Sequence, residues 1–193
     1  MSMTSSSLDE SDSLSAGNQD AGIDADEFKA AFRNHPAGVA LITADAGSGP
    51  VAMTATSVFS VSAVPPLLVF SASDLSSSTP TLVASSTVVV HLLGSDQLDL
   101  AVLGSTSGID RFADTARWSR LPTGEPYFPA AHAWIRGKVI NKLQAGTSTV
   151  FVVLAIESMA PAAGSPEADA AQAAPLVYHN RTWHRLGEKS RVQ

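Results

Sequence analysis

The spacing of apolar and polar positions divides the chain early. Residues 1–23 scatter isolated apolar residues among Ser, Asp, Gly and Asn and build no repeating face, so no packed element is predicted there. Residues 24–32 then read as a helix. Asp24 can cap it, Glu27 lies three residues on, and Phe28, Ala31 and Phe32 share one face. Pro36-Ala-Gly38 ends that element.

Beyond it, β patterns dominate. Residues 39–43 and 51–57 flank a Gly/Ser/Pro loop and read as a hairpin; 67–72 follows Pro65-Pro66, and 87–93 is densely β-branched. Two further strands, 131–143 and 148–158, flank Gln144-Ala-Gly146, and the basic residues at 136, 138 and 142 share one face of the first if it is regular. Residues 175–179 and 182–186 make a last hairpin through Asn180-Arg181. Short helices are predicted at 81–85 and 96–103, little periodicity at 104–130, and an exposed excursion at 160–174. This order fits a mainly β fold, a small barrel with peripheral helices. A doubly wound sheet needs a regular strand–helix alternation that is not there. The expected organisation is a disordered acidic tail over 1–23, one domain over 24–187 and a C-terminal tail over 188–193.

Charge sharpens this division. The net charge is −6, from 12 basic and 18 acidic residues. Residues 1–26 hold Asp9, Glu10, Asp12, Asp20, Asp24 and Asp26 and no Lys or Arg, so the body that follows is close to neutral. Such a body lacks the basic face of a nucleic-acid binder, although a local phosphate site stays open. No stretch is long and apolar enough for a membrane span, and the N-terminus has serines and acids where a secretory leader has bases and an apolar run. A cytoplasmic protein is expected. With no cysteine in the chain, thiol nucleophiles, disulfides and cysteine metal sites are excluded.

Among motifs, GxGxxG after a strand, the P-loop pattern and HExxH are all absent. His179 and His184 are the closest pair of the five histidines and lack an evident third ligand, so no metal site is expected. The informative stretch is Met53-Thr-Ala-Thr-Ser-Val-Phe-Ser-Val-Ser62, ahead of Pro65-Pro66. Small hydroxyls beside backbone amides suit a polar ligand lying along a strand, or a phosphate. The same residues suit an ordinary Thr-rich strand, and composition leaves both readings open.

A resemblance adds to this. Phe32-Arg33, Pro36-Ala-Gly-Val39, Thr43, Met53-Thr-Ala-Thr-Ser57, Ser60-Val-Ser62 and Pro65-Pro-Leu67 resemble the opening of the flavin reductase-like family. The likeness continues in order through Ser76-Ser-Ser-Thr79, Val90-His-Leu-Leu93, Gln97, Leu100-Ala101, Asp110-Arg-Phe112, Trp118 and Pro175-Leu-Val-Tyr-His179, over residues 27–187. It implies an FMN-binding split β-barrel that reduces free FMN or FAD with NADH or NADPH. It further implies a homodimer that supplies reduced flavin to a separate flavin-dependent monooxygenase. A flavoprotein oxidase or reductase holding FMN tightly, and a flavin-binding protein without turnover, are the alternatives.

Carried over by position, the resemblance implies that Thr54, Ala55, Thr56 and Ser57 run along the flavin ring and ribityl chain. Ser60 lies in a following loop. Ser76, Ser77, Ser78 and Thr79 hold ribityl and phosphate, with Arg111 and Phe112 at the phosphate end. Three positions depart from the family pattern: Thr56 and His91 stand where relatives often carry Asn, and Gly146-Thr-Ser148 replaces Gly-Asp-His. That histidine is usually placed near the nicotinamide, so Ser148 falls at the nucleotide side. No catalytic acid or base is implied, because orienting the two rings is the protein's contribution.

Overall fold

A computed structural model describes residues 22–161 and 174–192. The expected tail at 1–23 and excursion at 160–174 lie almost wholly outside the described residues. The chain divides into two compact units, one ending at Phe32 and one running from Arg33. Helix α1 (Ala25–Arg33), which belongs to the first unit in all but its last residue, starts as its sequence predicts, with the backbone N–H groups of Asp26 and Glu27 donating to Asp24 Oδ1 at 2.8 and 2.9 Å. The Phe28 and Phe32 rings, one helical turn apart, meet at 4.8 Å between centroids.

The second unit is mainly β. Its strands are β1 (Ala37–Gly38), β2 (Ala40–Asp45), β3 (Pro50–Ala55), β4 (Phe59–Ala63), β5 (Pro66–Ser73), β6 (Thr87–Leu92), β7 (Ser119–Arg120), β8 (Pro126–Tyr127), β9 (Ala133–Ala145), β10 (Ser148–Met159), β11 (Leu176–His179) and β12 (Thr182–Arg185). Helices α2 (Thr79–Ala84) and α3 (Leu98–Ser105) lie between strands. One antiparallel sheet of seven strands runs in the order β3-β2-β6-β9-β10-β5-β4, beside a small sheet β1-β11-β12 and the pair β7-β8.

Inward residues of the large sheet form one cluster that includes Ile42, Met53, Phe70, Val88, Val90, Phe151 and Val153. Phe70 and Phe151 face each other across β5 and β10 and stack at 4.6 Å. Strand β2 buries both faces: Ala40, Ile42 and Ala44 enter that cluster, and Leu41 enters a second one with Leu100, Ala101, Phe112 and Phe128. This double burial explains why the Val39-Ala-Leu-Ile run is continuously apolar instead of alternating.

The structure corrects the sequence reading at two bulges. Along β9, Val139 pairs with Val153 and Lys142 with Phe151, so an extra residue intervenes and Lys142 turns to the face opposite Arg136 and Lys138. Lys142 Nζ donates to the carbonyls of Val83 and Ser85 at the end of α2, whereas Arg136 pairs with Glu125 at 2.8 Å. The second bulge lies in β4, between Ser60 and Ser62. Ser60 was expected in a loop, but it is in this strand, paired with Leu68. The serines of 59–63 hide a strand that bonds only β5 in the ladder.

His91, in the middle of β6, is fully buried. Its ring lies 2.9 Å from the Leu41 carbonyl through Nδ1, and Nε2 accepts the Phe128 N–H at 3.1 Å. The ring is therefore neutral, with its proton on Nδ1. Burial pushes its pKa down to about 4, only partly opposed by the Leu41 carbonyl. Burial would raise the Glu125 carboxyl, but hydrogen bonds from Arg136, Thr123 and Thr87 hold it at about 2. The unfolded chain takes up a proton at His91 near pH 6.5, the folded chain only near 4. Stability from this site is complete above 6.5 and is lost as pH falls through 4, by about 3 kcal/mol. Glu125 adds a further loss between its unfolded value and 2. Urea unfolding at about pH 7.5 and about pH 4 should show the His91 step, and His91→Gln, which keeps a donor and an acceptor without titrating, should flatten it. An identical pH dependence in the variant would contradict this assignment.

Candidate functional site

A cleft of about 600 Å³ opens where β3 ends. Its walls are residues 53–57, Ser71 and Ser73 of β5, the turn 75–77, Gly104 and Ser105 of α3, Ser107, Gly108 and Arg111 of the following loop, and Ser148 at the start of β10. The sequence-predicted Thr54, Ala55, Thr56, Ser57, Ser76, Ser77, Arg111 and Ser148 are thus brought together from four separate chain segments.

The hydroxyls fall into two groups. Thr54 Oγ1 donates to the Ala101 carbonyl at 2.6 Å. Ser57 Oγ donates to the Ser71 carbonyl at 3.2 Å and accepts the Ser71 N–H at 3.0 Å, joining the chain just past β3 to β5. Both are committed to the fold. Thr56, Ser71, Ser77, Ser107 and Ser148 make no side-chain hydrogen bond among the described residues, and all line the cleft. Ser76 Oγ accepts the Ser78 N–H at 3.3 Å and keeps its own proton to donate. These side chains are the ones available to a ligand.

Helix α3 sits on β3 with no space between them at Gly104. A Cβ there would lie 2.4 Å from Thr54 Oγ1 and 2.9 Å from the Thr54 backbone nitrogen. Glycine at this position is what lets the end of α3 form a wall of the cleft. The carbonyl end of the helix is then occupied. The Thr106 N–H and hydroxyl both donate to the Val102 carbonyl, at 3.0 and 2.8 Å, while Arg111 donates through Nε to Leu103 and through Nη2 to Thr106, at 3.2 and 2.7 Å. A cation here offsets the negative end of the helix dipole, which would otherwise repel an anion in the cleft.

Other sequence-predicted residues lie outside the cleft walls. Ser60 is on β4. Ser78 and Thr79 are buried, their hydroxyls donating to the Ala52 and Ser73 carbonyls at 2.9 and 2.6 Å. His91 is in the core with both ring nitrogens engaged. Phe112 is buried against Trp118 and Phe128, under the loop that carries Arg111, so it anchors the arginine and does not face the cleft. Sequence reasoning missed Ser71, Ser73, Leu75, Gly104, Ser105, Ser107 and Gly108. The Gly-Ser-Thr-Ser-Gly run at 104–108, just after a helix, was the available signal.

Among the described residues, Arg111 is the one ionisable side chain in the cleft walls. Nothing there offers a general acid or base among the described residues. The walls suit binding and orientation of a polar molecule with an anionic group, and the volume suits a nucleotide-sized one. A second cleft, of about 560 Å³, is lined by Asp96, Asp99 and Arg117. Its carboxylates are already paired, Asp96 with His132 at 2.7 Å and Asp99 with Arg117. No group of His, Asp or Glu that could hold a metal occurs among the described residues.

A family model described as flavin reductase like domain matches residues 32–187. The chain belongs to the flavin reductase-like family. It is 42% identical over 164 residues to NADH:FMN oxidoreductases of Rhodococcus qingshengii and Rhodococcus erythropolis, covering 85% of this chain and 83% of theirs. The crystal structure of a flavin reductase domain protein from Arthrobacter sp. FB24 superposes with a TM-score of 0.74 at 32% identity, over 84% of this chain and 95% of that one. The reductase component of a 4-nitrophenol 4-monooxygenase/4-nitrocatechol 2-monooxygenase from Rhodococcus opacus is 28% identical, over 72% of this chain and 74% of its own. The mainly β fold with peripheral helices is therefore that of flavin reductases.

Gly104→Ala tests how the wall is built. The added methyl has to push α3 off β3, so a loss of stability of about 1–3 kcal/mol is expected, read by urea unfolding. Flavin affinity should fall in the fraction that still folds. A variant with unchanged stability would mean that α3 shifts freely.

Proposed function

We propose that the chain reduces flavin with a nicotinamide nucleotide, holding the flavin in the cleft between the end of β3 and the 104–111 loop. The observation that carries this is the pairing of unengaged hydroxyls with one arginine, in a cleft of flavin size that lacks an acid or base. The family and the NADH:FMN relatives support NADH as the reductant and FMN as the flavin. Bound flavin supplies a two-electron acceptor for the nicotinamide hydride. The protein's part is to bind and orient. The chain at Thr54–Ser57 lies along the flavin, and Thr56, Ser76, Ser77 and Ser107 donate to its polar atoms. Arg111, with Nη1 making no hydrogen bond among the described residues, meets the phosphate. Ser148, across the cleft on β10, is at the nicotinamide side.

The reading includes the split β-barrel. The single inward cluster drawn from β2, β3, β5, β6 and β10 supports it, as does the Ser57 link to β5. It also includes a homodimer. The outer face of the sheet sets Phe59, Val69 and Val152 in one row and Leu143, Val150 and Ser71 in the next. Phe59 and Leu143 are 58% and 62% exposed there. Ser71 and Ser73 of the cleft stand on this same face, so a second copy covering it would border the flavin. A monooxygenase receiving the reduced flavin is supported by the Rhodococcus opacus relative. The cysteine-free composition suits a reducing cytoplasm.

Purified protein should oxidise NADH in steady state in proportion to added FMN; no flavin-dependent oxidation would contradict the reading. Arg111→Ala should weaken FMN by about ten- to a hundredfold, the equivalent of about 1.5–3 kcal/mol for a charge-assisted hydrogen bond. Riboflavin, which lacks the phosphate, should bind wild type and variant alike. An equal loss for both ligands would make Arg111 a brace of the loop only. Light scattering should give the mass of a dimer, and a monomer would remove the interface.

A further inference from the structure

The cleft walls are almost wholly hydroxyl, backbone and small side chains, which leaves a flat aromatic ligand short of apolar contact. Pockets for such ligands combine a few polar groups with apolar surface. Two large apolar side chains line this cleft. Met53 is 8% exposed and belongs to the inward core cluster, whereas Leu75 is 94% exposed. Among the described residues Leu75 is left almost wholly uncovered, although it is carried by a braced turn. The Asp74 N–H donates to the Thr147 carbonyl at 3.0 Å, and Gln144 Nε2 donates to the Asp74 carboxylate at 2.8 Å. The Ser76 N–H donates to the Ser73 carbonyl at 3.0 Å, and the Leu75 N–H to Ser73 Oγ at 3.3 Å. An uncovered leucine on a floppy loop is unremarkable. One held at the rim of a polar cleft by this many bonds is placed there.

We propose that Leu75 is the apolar contact for the aromatic ring of the bound flavin, and so a determinant of affinity that acts on the ring and not on the phosphate. The inference rests on the proposed flavin reading and deepens it. Leu75 and Arg111 then divide the ligand, the leucine taking the ring and the arginine the anionic end. The brace to Thr147 also ties the leucine to the β9–β10 turn, next to Ser148, so the rim of the cleft is set by two strand connections held as one unit.

The test is a fluorescence titration of FMN and of riboflavin against wild type, Leu75→Ala and Leu75→Met, with thermal unfolding of each as a control. Because the side chain is exposed, none of the variants should unfold at a different temperature. Leu75→Ala should weaken both ligands equally, by about five- to thirtyfold, from the apolar area no longer covered. Leu75→Met should restore most of the affinity, since its volume is conserved. Unchanged affinity in Leu75→Ala, or a loss confined to FMN, overturns the inference while leaving the flavin reading in place. A wild-type chain that binds neither ligand overturns both.

Discussion

The close seat of α3 on β3 is the contact from which the rest of the cleft follows. At Gly104 the helix lies against Thr54 with no room for a methyl group, and the Thr54 hydroxyl is engaged in holding the Ala101 carbonyl. That contact fixes where the helix ends, and the end of the helix fixes the loop at 104–111. Arg111 answers the carbonyls left at the helix terminus, and in doing so puts its charge at the cleft wall. An exposed arginine on an untied loop would lose side-chain entropy on meeting an anion; one already held by two carbonyls loses less.

The same division of labour runs through the serines and threonines. A hydroxyl that bonds a main-chain carbonyl of another element, as in Thr54, Ser57, Ser78 and Thr79, holds the architecture. One that meets no partner among the described residues, as in Thr56 and Ser77, is available to a ligand. Composition counts these as one cluster. Only the fold separates them, because the carbonyls that claim the first group come from residues up to 47 positions away.

Much of the fold was legible in the chain. Residues 24–32 carried the helix cap, the apolar alternation located most strands within two residues, and the Asn180-Arg181 turn marked the last hairpin. Strand β4 was hidden because its serines read as a ligand loop, and the face of Lys142 was misjudged because a bulge has no signature in a run of basic and apolar residues. At the site, the segments around 54–57, 76–77, 111 and 148 were legible through resemblance. His91 was misleading for a physical reason: a histidine in a β-branched strand has polar atoms to satisfy, and here the main chain of Leu41 and Phe128 satisfies them inside the core. Leu75 left no trace, since an exposed leucine in a turn has no pattern around it.

A cleft without an acid or base can promote a hydride transfer only by bringing two rings together in the right orientation. The most direct measurement is anaerobic rapid mixing of NADH with the protein already mixed with FMN, following the visible absorbance of oxidised flavin. The account predicts bleaching that is far faster than for FMN and NADH in buffer and that saturates as NADH is raised, as expected for a second ligand entering a formed site. FMN that binds in the cleft yet bleaches no faster than in buffer would contradict it.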